Sequence, residues 1–239
     1  MSAILELSRV SKQFPGVLAL DNIDFDVRAG EVHALIGENG AGKSTLVKII
    51  TGAYQKDSGT VAVDGKEVNF ATPAEAQEAG IGGIYQEFSL VNTLSVAENI
   101  FLGRYPSRGL AIDWATMNRE AGALLARFGV NAAPQDTVST LGVATRQMIE
   151  ILKVVDRKNL KILIMDEPTS SLSDNESQAL FAFIEALKAQ GVSIIYISHR
   201  LDEIKQISDR ITIFKNGARV ATEATDAMTI DDMVTLMIG

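Results

Sequence analysis

The sequence contains no cysteine, which excludes disulfide bonds and zinc sites built on thiolates. It also has no uninterrupted apolar run near the roughly 18 residues that a membrane-spanning helix requires. Its first ten residues carry Glu6 and Arg9 where a secretory signal would need an apolar stretch. We therefore expect a soluble cytoplasmic protein without a signal peptide, whose association with a membrane, if any, depends on a partner.

Basic residues are outnumbered by acidic ones. The 239 residues include 22 lysines and arginines and 30 aspartates and glutamates, which gives a net charge of −8. Binding to nucleic acid through a broad surface requires clustered basic side chains, so we expect no nucleic-acid partner. The remaining composition, 46% hydrophobic and 22% charged, is that of an ordinary globular protein of one large domain or one domain with a subdomain.

Short β-like runs alternate with helical ones over most of the chain. The runs LKILIM and VSIIYIS are continuously apolar, which indicates parallel strands covered on both faces. Asp64-Gly65 and Asn216-Gly217 each lie between strand-like runs and predict hairpin turns. This alternation predicts an α/β fold.

One stretch differs from this alternation. Residues 93–157 have mostly helical periodicity and no convincing strand. The pattern predicts a single domain over residues 1–239, with an α/β core in residues 1–92 and 158–239 and a helical subdomain at 93–157.

The segment GENGAGKST, residues 37–45, fits the pattern G-x-x-x-x-G-K-[ST] and lies between a strand-like run and a helical run, as that motif requires. Its glycines allow backbone N–H groups and the following helix N-terminus to point at phosphate oxygens. Lys43 would reach the β- and γ-phosphates, and the Ser44 hydroxyl would bind Mg²⁺. The alternative is a glycine-rich turn that only caps a helix, which the agreement of motif and context disfavours. We call residues 37–45 the P-loop. Its positions predicted to contact the nucleotide are Gly37, Asn39, Gly40, Ala41, Gly42, Lys43, Ser44 and Thr45.

The segment ILIMDEP, residues 162–168, supplies two carboxylates. The apolar strand places Asp166 at its C-terminal end, where open α/β sheets hold their ligands. Asp166 is predicted to hold Mg²⁺, and Glu167 to accept a proton from the attacking water. The alternative is a solvated strand end, but a P-loop in the same chain favours the catalytic interpretation.

The order of these motifs resembles that of the ATP-binding cassette (ABC) ATPases. The resemblance is carried by KQFPGVLALDNIDFDVRAGEVHALIGENGAGKST, YQEFSLVNTLSVAENIFLG, ILIMDEPTSSLSDNE and YISHRLDEI, and it covers nearly the whole chain. It implies a P-loop NTPase of the ABC type, with a mostly parallel core sheet, an N-terminal antiparallel β part and a helical subdomain insert. GENGAGKSTL, IYQEFSLV and YISHRLDEI are similar to the subgroup that powers bacterial import of simple sugars, chiefly monosaccharides.

The resemblance also assigns roles to residues outside the two motifs. Phe14 matches the aromatic residue that stacks on adenine, although a core Phe in an N-terminal strand is the alternative. Gln86 matches the glutamine that approaches Mg²⁺ and the attacking water, and His199 matches the histidine that contacts the γ-phosphate. His33, inside a predicted strand, is assigned a structural role. The predicted catalytic residues are Glu167, His199, Gln86 and Lys43, and the predicted metal ligands are Ser44, Gln86 and Asp166.

The helical insert carries an altered motif. In the ABC family it contains a signature close to L-S-G-G-Q, whose Ser hydroxyl and glycine backbone hold the γ-phosphate bound to the opposite cassette. The aligned residues here are Leu141, Gly142, Val143, Ala144 and Thr145. Gly142 lacks the hydroxyl, and Val143 and Ala144 place side chains where backbone should face phosphate. The resemblance therefore implies a half-site that binds phosphate weakly.

In the sugar-import subgroup two cassettes are usually fused in one longer chain, with an intact P-loop in the first and a good signature in the second. The resemblance implies that residues 1–239 are the first cassette of such a pair. They would bind ATP with Mg²⁺ and hydrolyse it to energise import of a simple sugar. The expected partners are the second cassette, the membrane permease subunits and, indirectly, a periplasmic or extracellular sugar-binding protein. The expected location is peripheral, on the cytoplasmic side of the cell membrane.

Three other interpretations compete with this one. A non-transport ABC ATPase acting on translation or DNA is disfavoured by the acidic charge, and the stretch between Gln86 and Leu141 is too short for the long coiled coils of chromosome-type members. A regulatory cassette that binds ATP with little hydrolysis fits the altered signature but not the retained catalytic residues. A P-loop kinase would need an acceptor site and lid arginines, which we do not find in the sequence.

Overall fold

The computed structural model of the chain describes residues 3–85, 89–156 and 159–238. By its internal contacts the chain divides into two compact units. The first comprises residues 1–83, 159–167 and 187–239, and the second comprises residues 84–158 and 168–186. The single domain with boundaries at 92/93 and 157/158 stays a prediction, and the two units differ from it by placing residues 84–92 and 168–186 with the helical part.

Strands and helices alternate along the described chain. The strands are β1 (Ala3–Phe14), β2 (Val17–Arg28), β3 (Val32–Gly37), β4 (Ser58–Val63), β5 (Lys66–Val68), β6 (Ile81–Ile84), β7 (Ser107–Arg108), β8 (Ala111–Ile112), β9 (Ile162–Asp166), β10 (Ser193–Ile197), β11 (Arg210–Lys215) and β12 (Ala218–Ala224). The helices are α1 (Lys43–Ile50), α2 (Pro73–Glu78), α3 (Val96–Ile100), α4 (Trp114–Arg127), α5 (Val143–Val155), α6 (Asp174–Ala189), α7 (Leu201–Ile207) and α8 (Ile230–Ile238). None of the helices in these described ranges is long and apolar enough to cross a membrane.

The first unit is built on a six-stranded sheet with the strand order β12-β11-β3-β10-β9-β6. Strands β11, β3, β10 and β9 run parallel, and β12 pairs antiparallel with β11. The apolar runs that predicted buried strands form β9 and β10, and both strands are buried along almost their whole length. The predicted mostly parallel core sheet is therefore confirmed.

The predicted N-terminal antiparallel part is a four-stranded sheet in the order β2-β1-β4-β5. In β2, Ile23, Phe25 and Val27 are buried, since alternate residues of a strand lie on one face. Asp64 and Gly65 have φ angles of 51° and 70° and form the predicted turn between β4 and β5, because a type I′ turn needs positive φ at both positions. The apolar faces of both sheets and of α1 share one core, which includes Leu5, Leu7, Phe25, Leu35, Leu46, Ile164 and Phe214.

The second unit contains α3, α4, α5 and most of α6. Helix α4 buries Met117, Ala121 and Leu125, which are four residues apart and so lie on one face. The sequence predicted no strand in this region, but β7 and β8 pair as a short hairpin around Gly109, whose φ is 66°. Strands of two residues carry too little alternation for a sequence pattern to reveal them.

Helix α6 explains why residues 168–186 belong to the second unit. The Phe183 ring on α6 lies 4.5 Å from the Phe128 ring, centroid to centroid. At the start of α6, the backbone N–H and the hydroxyl of Ser173 donate to Oε2 of Glu176 at 2.8 and 2.7 Å. A Ser followed three residues later by a Glu is typical of a helix start, and here the pair caps α6.

A cluster of charged side chains joins three strands of the first unit. The Arg210 guanidinium on β11 donates to both carboxylate oxygens of Asp26 at 2.8 and 3.0 Å and to Oε1 of Glu31 at 3.1 Å. Glu31 Oε1 also lies 3.1 Å from Nδ1 of the fully buried His33. The other ring nitrogen of His33 lies 2.7 Å from the Thr212 hydroxyl. His33 thus has the structural role that the sequence suggested.

Replacing Arg210 tests this cluster. Arg210→Met removes the guanidinium and leaves the buried Glu31 carboxylate without that cation, so we expect the free energy of unfolding to fall by about 3 kcal/mol in urea denaturation. The matched control is Arg119→Met. The exposed Arg119 guanidinium lies 3.8 Å from Glu120, and its loss should change the free energy by less than about 0.5 kcal/mol. Equal losses in the two variants would contradict the assigned role of Arg210.

The same ion pair predicts a pH dependence. The hydrogen bonds from Arg210 hold the pKa of Asp26 below its ordinary value. Because the folded-state pKa is lowered, the stabilisation is present above the ordinary aspartate pKa of about 3.9 and is lost as the pH falls through the lowered value. Below about pH 4, the unfolding free energy of the wild type should therefore fall more steeply than that of Arg210→Met. Parallel curves would show that Asp26 gains no stability from the pair.

Candidate functional site

The P-loop connects the C-terminal end of β3 to α1, and two of its glycines are required by close backbone contacts. Gly37 has a φ of 153°, and a Cβ atom there would overlap the carbonyl oxygen of Phe214 on β11. Gly42 has a φ of 107°, and a Cβ atom there would lie 2.6 Å from the carbonyl oxygen of Ala19 on β2. Glycine at these positions therefore allows the loop to pack directly on the neighbouring strands.

The ammonium group of Lys43 lies against the loop itself. It donates to the carbonyl oxygens of Gly37 at 2.7 Å and Glu38 at 3.0 Å. Burial lowers the pKa of Lys43, and the nearby carboxylates of Asp166 and Glu167 oppose that shift. An ammonium binds anionic oxygens more strongly than neutral carbonyls, so Lys43 is placed to turn towards an anion that enters the loop.

Asp166 and Glu167 lie at the C-terminal end of β9. Burial raises the pKa of Asp166, Glu167 raises it further, and Lys43 opposes the shift. Glu167 has a φ of 49°, and its N–H donates to the carbonyl oxygen of Ile197 at 2.9 Å. A left-handed backbone at a non-glycine residue costs about 1–2 kcal/mol, and such strain is concentrated at functional sites.

His199 follows β10 and meets Glu167. Its Nδ1 lies 3.1 Å from Oε1 of Glu167. The His199 side chain is 66% exposed and the Glu167 side chain 29%, so the pair faces an open space. That space is a cavity of about 720 Å³, which is lined by Gly37, Glu38, Asn39, Glu167, His199 and Met237.

A smaller depression of about 140 Å³ lies at the start of α1. It is lined by Ala19, Asn39, Gly40, Gly42, Lys43, Ser44 and Thr45. The free backbone N–H groups of a helix N-terminus and its dipole both favour an anion. The depression therefore combines these groups with a lysine and a hydroxyl, which suits phosphate.

Seven of the eight P-loop positions predicted to contact the nucleotide line one of these two cavities. The other position is Ala41, whose side chain is in the core, while its carbonyl accepts from the N–H of Gly217 at 3.1 Å. The sequence missed three lining residues. The P-loop motif allows any residue at Glu38, and nothing in the pattern around Ala19 or Met237 connects them to the loop.

Of the described residues assigned by resemblance, Phe14 is not among those that line the two cavities. Phe14 is half-buried at the end of β1, with its ring centroid 5.4 Å from that of Tyr54 and Nζ of Lys12 5.5 Å from its centroid. Its stacking on adenine stays a prediction. Gln86 lies outside the described residues, so its roles at the metal and the water also stay predictions.

A metal ion at this site would depend on the nucleotide. In the described parts of the chain, no group of three or more His, Asp or Glu side chains could hold a metal ion. The Ser44 hydroxyl and the Asp166 carboxylate are hard oxygen donors. Mg²⁺ commonly takes one or two protein ligands and completes its shell with phosphate and water oxygens. These two donors therefore fit a magnesium ion that arrives with a bound nucleotide.

The altered signature at 141–145 forms the start of α5. Gly142 is the N-cap residue, with φ and ψ of −64° and 161°, and the helix begins at Val143. A Cβ atom at Gly142 would have none of the described atoms within 4 Å, so packing does not exclude a serine there. Val143 and Ala144 lie in the first helical turn. The helix N-terminus is thus kept, while the hydroxyl is lost.

Comparisons with known proteins identify the family to which the chain is similar. The family model described as ABC transporter matches residues 20–170. A putative ribose/galactose/methyl galactoside import ATP-binding protein of Burkholderia ambifaria is 50% identical over 236 residues, which cover 99% of this chain and 46% of that protein. The galactose/methyl galactoside import ATP-binding protein MglA of Escherichia coli is 47% identical over 236 residues, with the same coverage of 99% and 46%. The chain spans about half the length of the curated relatives it matches.

A solved structure supports the fold over its full length. The ADP conformation of MJ1267, an ATP-binding cassette of an ABC transporter, matches with a TM-score of 0.87 and 26% sequence identity. The match covers 100% of both chains. The predicted fold class is thereby confirmed.

A comparison of Gly42→Ala with Gly40→Ala separates the effect of steric contact on stability from the effect of backbone strain. Both glycines have positive φ, so each alanine carries a cost of about 1–2 kcal/mol for a left-handed backbone. Only the alanine at 42 also meets the Ala19 carbonyl, since a Cβ at Gly40 has no described atom within 4 Å. We expect Gly42→Ala to lower the free energy of unfolding in urea by about 1–3 kcal/mol more than Gly40→Ala does. Equal losses would mean that the loop relaxes freely around the added methyl group.

Proposed function

The chain belongs to the ABC transporter family, and from this premise we propose that it binds Mg-ATP and hydrolyses it to energise import of a simple sugar through a membrane transporter. The observation that carries the proposal is the cavity at which the P-loop meets the pair Glu167 and His199. An anion-binding loop and a carboxylate held by a histidine are the parts that phosphoryl transfer to water requires. Two relatives are named as import ATP-binding proteins for galactose and methyl galactoside, one of them also for ribose, which supports a simple sugar.

ATP binding uses the P-loop and the start of α1. Backbone N–H groups of the loop hold the phosphate chain, and Lys43 exchanges the carbonyl oxygens of Gly37 and Glu38 for β- and γ-phosphate oxygens. This exchange replaces two neutral acceptors by charged ones, so it strengthens the bonds of the ammonium. Phe14, which keeps part of its surface exposed, stacks on the adenine.

Magnesium is proposed to bind to the Ser44 hydroxyl and, through water, to the Asp166 carboxylate, with Gln86 as a further ligand. When bound, the ion offsets negative charge on the β- and γ-phosphates. Burial raises the pKa of Asp166, and an adjacent cation counteracts this effect because it favours the charged carboxylate.

Hydrolysis is proposed to use Glu167 as the base. Its carboxylate takes a proton from the attacking water, whose oxygen bonds to the γ-phosphorus while the bond to the bridging oxygen breaks and ADP leaves. His199 contacts the γ-phosphate, and its Nδ1 lies 3.1 Å from Glu167 Oε1, which orients that carboxylate. Lys43 stabilises the negative charge on the transferring group.

We propose that a second cassette completes the site. The altered signature provides a weak half-site, and the relatives are about twice as long as this chain, which leaves room for a second cassette in the same protein. This chain is then the first cassette, and its intact P-loop receives a signature from the second. The other proposed partners are membrane permease subunits and, indirectly, a sugar-binding protein outside the membrane. The proposed location is the cytoplasmic face of the membrane.

A regulatory cassette that binds ATP with little hydrolysis is the second candidate. The missing hydroxyl at Gly142 favours it, because a defective signature lowers turnover. The contact between Glu167 and His199 favours hydrolysis instead, since a site that only binds nucleotide has no use for a base. Turnover by the assembled protein distinguishes the two candidates.

The substitution Glu167→Gln in the natural full-length protein tests hydrolysis. Glutamine keeps the size of the side chain but cannot act as the base, so steady-state ATP turnover should fall by about a hundredfold or more. The ATP dissociation constant should change by less than about threefold, because the P-loop is untouched. The matched control is Glu38→Gln, a carboxylate lining the same cavity, which should keep turnover within about threefold. Turnover retained in Glu167→Gln would identify another base, and ATP binding without turnover in the wild type would favour the regulatory candidate.

A further inference from the structure

One buried carboxylate holds the backbone around His199. Glu203 on α7 is 4% exposed, and its Oε2 accepts hydrogen bonds from the Tyr196 hydroxyl at 3.0 Å and the Ser198 hydroxyl at 3.3 Å. Its Oε1 lies 2.6 Å from Nη1 of Arg200. The Ser198 hydroxyl also accepts from the Arg200 N–H at 3.0 Å. These partners lie on both sides of His199 in the chain, and two of them are its immediate neighbours.

The imidazole of His199 is held much less tightly than the backbone that carries it. Its side chain is 66% exposed and contacts Glu167 through Nδ1. Packing directs an exposed ring only weakly, so the position of the ring depends on the backbone. That backbone leaves the central strand β10 after Ile197, and the next side chain, Ser198, is bonded to Glu203.

Stability alone gives no general reason to bury a carboxylate at this position. Removing a charge from water costs several kcal/mol, and well-packed apolar side chains in place of a buried ion pair are often as stable or more stable. Nor does the helix dipole explain it. Asp202 carries the same charge in the same first turn of α7 and yet is exposed. What distinguishes Glu203 from Asp202 is its set of bonds to the segment 196–200.

We infer that Glu203 is a positioning residue that fixes the backbone of His199 so that the imidazole reaches Glu167. The inference rests on the proposed function, since it assigns Glu203 a role in the same hydrolytic site. Glu203 acts through Ser198 and Arg200, which flank His199 in the chain and lie outside the P-loop. Its loss should therefore slow hydrolysis and leave ATP binding unchanged.

The test is Glu203→Gln in the natural full-length protein. Glutamine keeps the size and an acceptor for the Tyr196 hydroxyl but loses the charge that holds Arg200. We expect kcat for ATP hydrolysis to fall about ten- to a hundredfold, because small displacements of a catalytic group have effects of this size. KM and the ATP dissociation constant should stay within about twofold. The matched control is Asp202→Asn, which removes the same charge from the same helical turn and should leave kcat within about twofold.

A double-mutant cycle with His199→Ala shows whether Glu203 acts through His199. If it does, adding Glu203→Gln to His199→Ala changes kcat by less than about twofold. Additive losses, an unchanged kcat in Glu203→Gln, or a loss of ATP binding as large as the loss of kcat would overturn the inference. If Glu203→Gln does not fold, Ser198→Ala goes through the same cycle with the same expectation, because it removes one link and keeps the buried carboxylate paired with Arg200.

The same measurements distinguish a failure of the proposed function from a failure of the role of Glu203 alone. A wild-type protein that does not hydrolyse ATP, or whose turnover His199→Ala leaves unchanged, overturns the proposed site and the role of Glu203 with it. An active wild type that loses turnover in His199→Ala but keeps it in Glu203→Gln overturns only the role of Glu203.

Discussion

The parallel alignment of β3, β10 and β9 is the constraint on which the site depends. Ile197 of β10 pairs with Leu35 of β3 and with Asp166 of β9, so the three strands end at the same edge of the sheet. The P-loop begins at Gly37, and His199 follows its own strand by two residues. A shift of register would move the buried apolar side chains of these strands to new environments. The hydrophobic core thus brings the lysine, the carboxylates and the histidine together.

The charges at this edge depend on one another. Burial lowers the pKa of Lys43 and raises that of Asp166, and each group opposes the shift of the other. Lys43 is bonded to backbone carbonyls, and Asp166 lies next to the like charge of Glu167. A phosphate chain that arrives with a divalent cation supplies an anion for the lysine and a cation for the carboxylates at the same time. These opposing charges support the proposal that the site binds a metal–nucleotide complex rather than either part alone.

The elements that the sequence predicts correctly are those whose sequence signal lies in adjacent residues. Continuous apolar runs predicted β9 and β10, and the Asp64-Gly65 pair predicted its turn, because each depends on adjacent residues. Met237 of α8 lines the cavity at Glu167 and His199, and the bonds of Glu203 join α7 to the end of β10. Both depend on how separate elements pack, which no period or motif encodes. The role of Phe14 came only from the resemblance, since a half-buried Phe in a strand carries no local mark of adenine stacking.

The site is proposed to be intact in its P-loop and base but to need a signature from a second cassette. The most direct measurement is steady-state ATP hydrolysis by the isolated 239-residue chain at increasing protein concentration, with ATP binding measured in parallel. We predict that each chain binds ATP while turnover stays low and does not rise cooperatively, because Gly142 provides no hydroxyl to a facing copy and Val143 and Ala144 cover the backbone. Robust turnover that rises cooperatively with concentration, without any second cassette, would contradict this account.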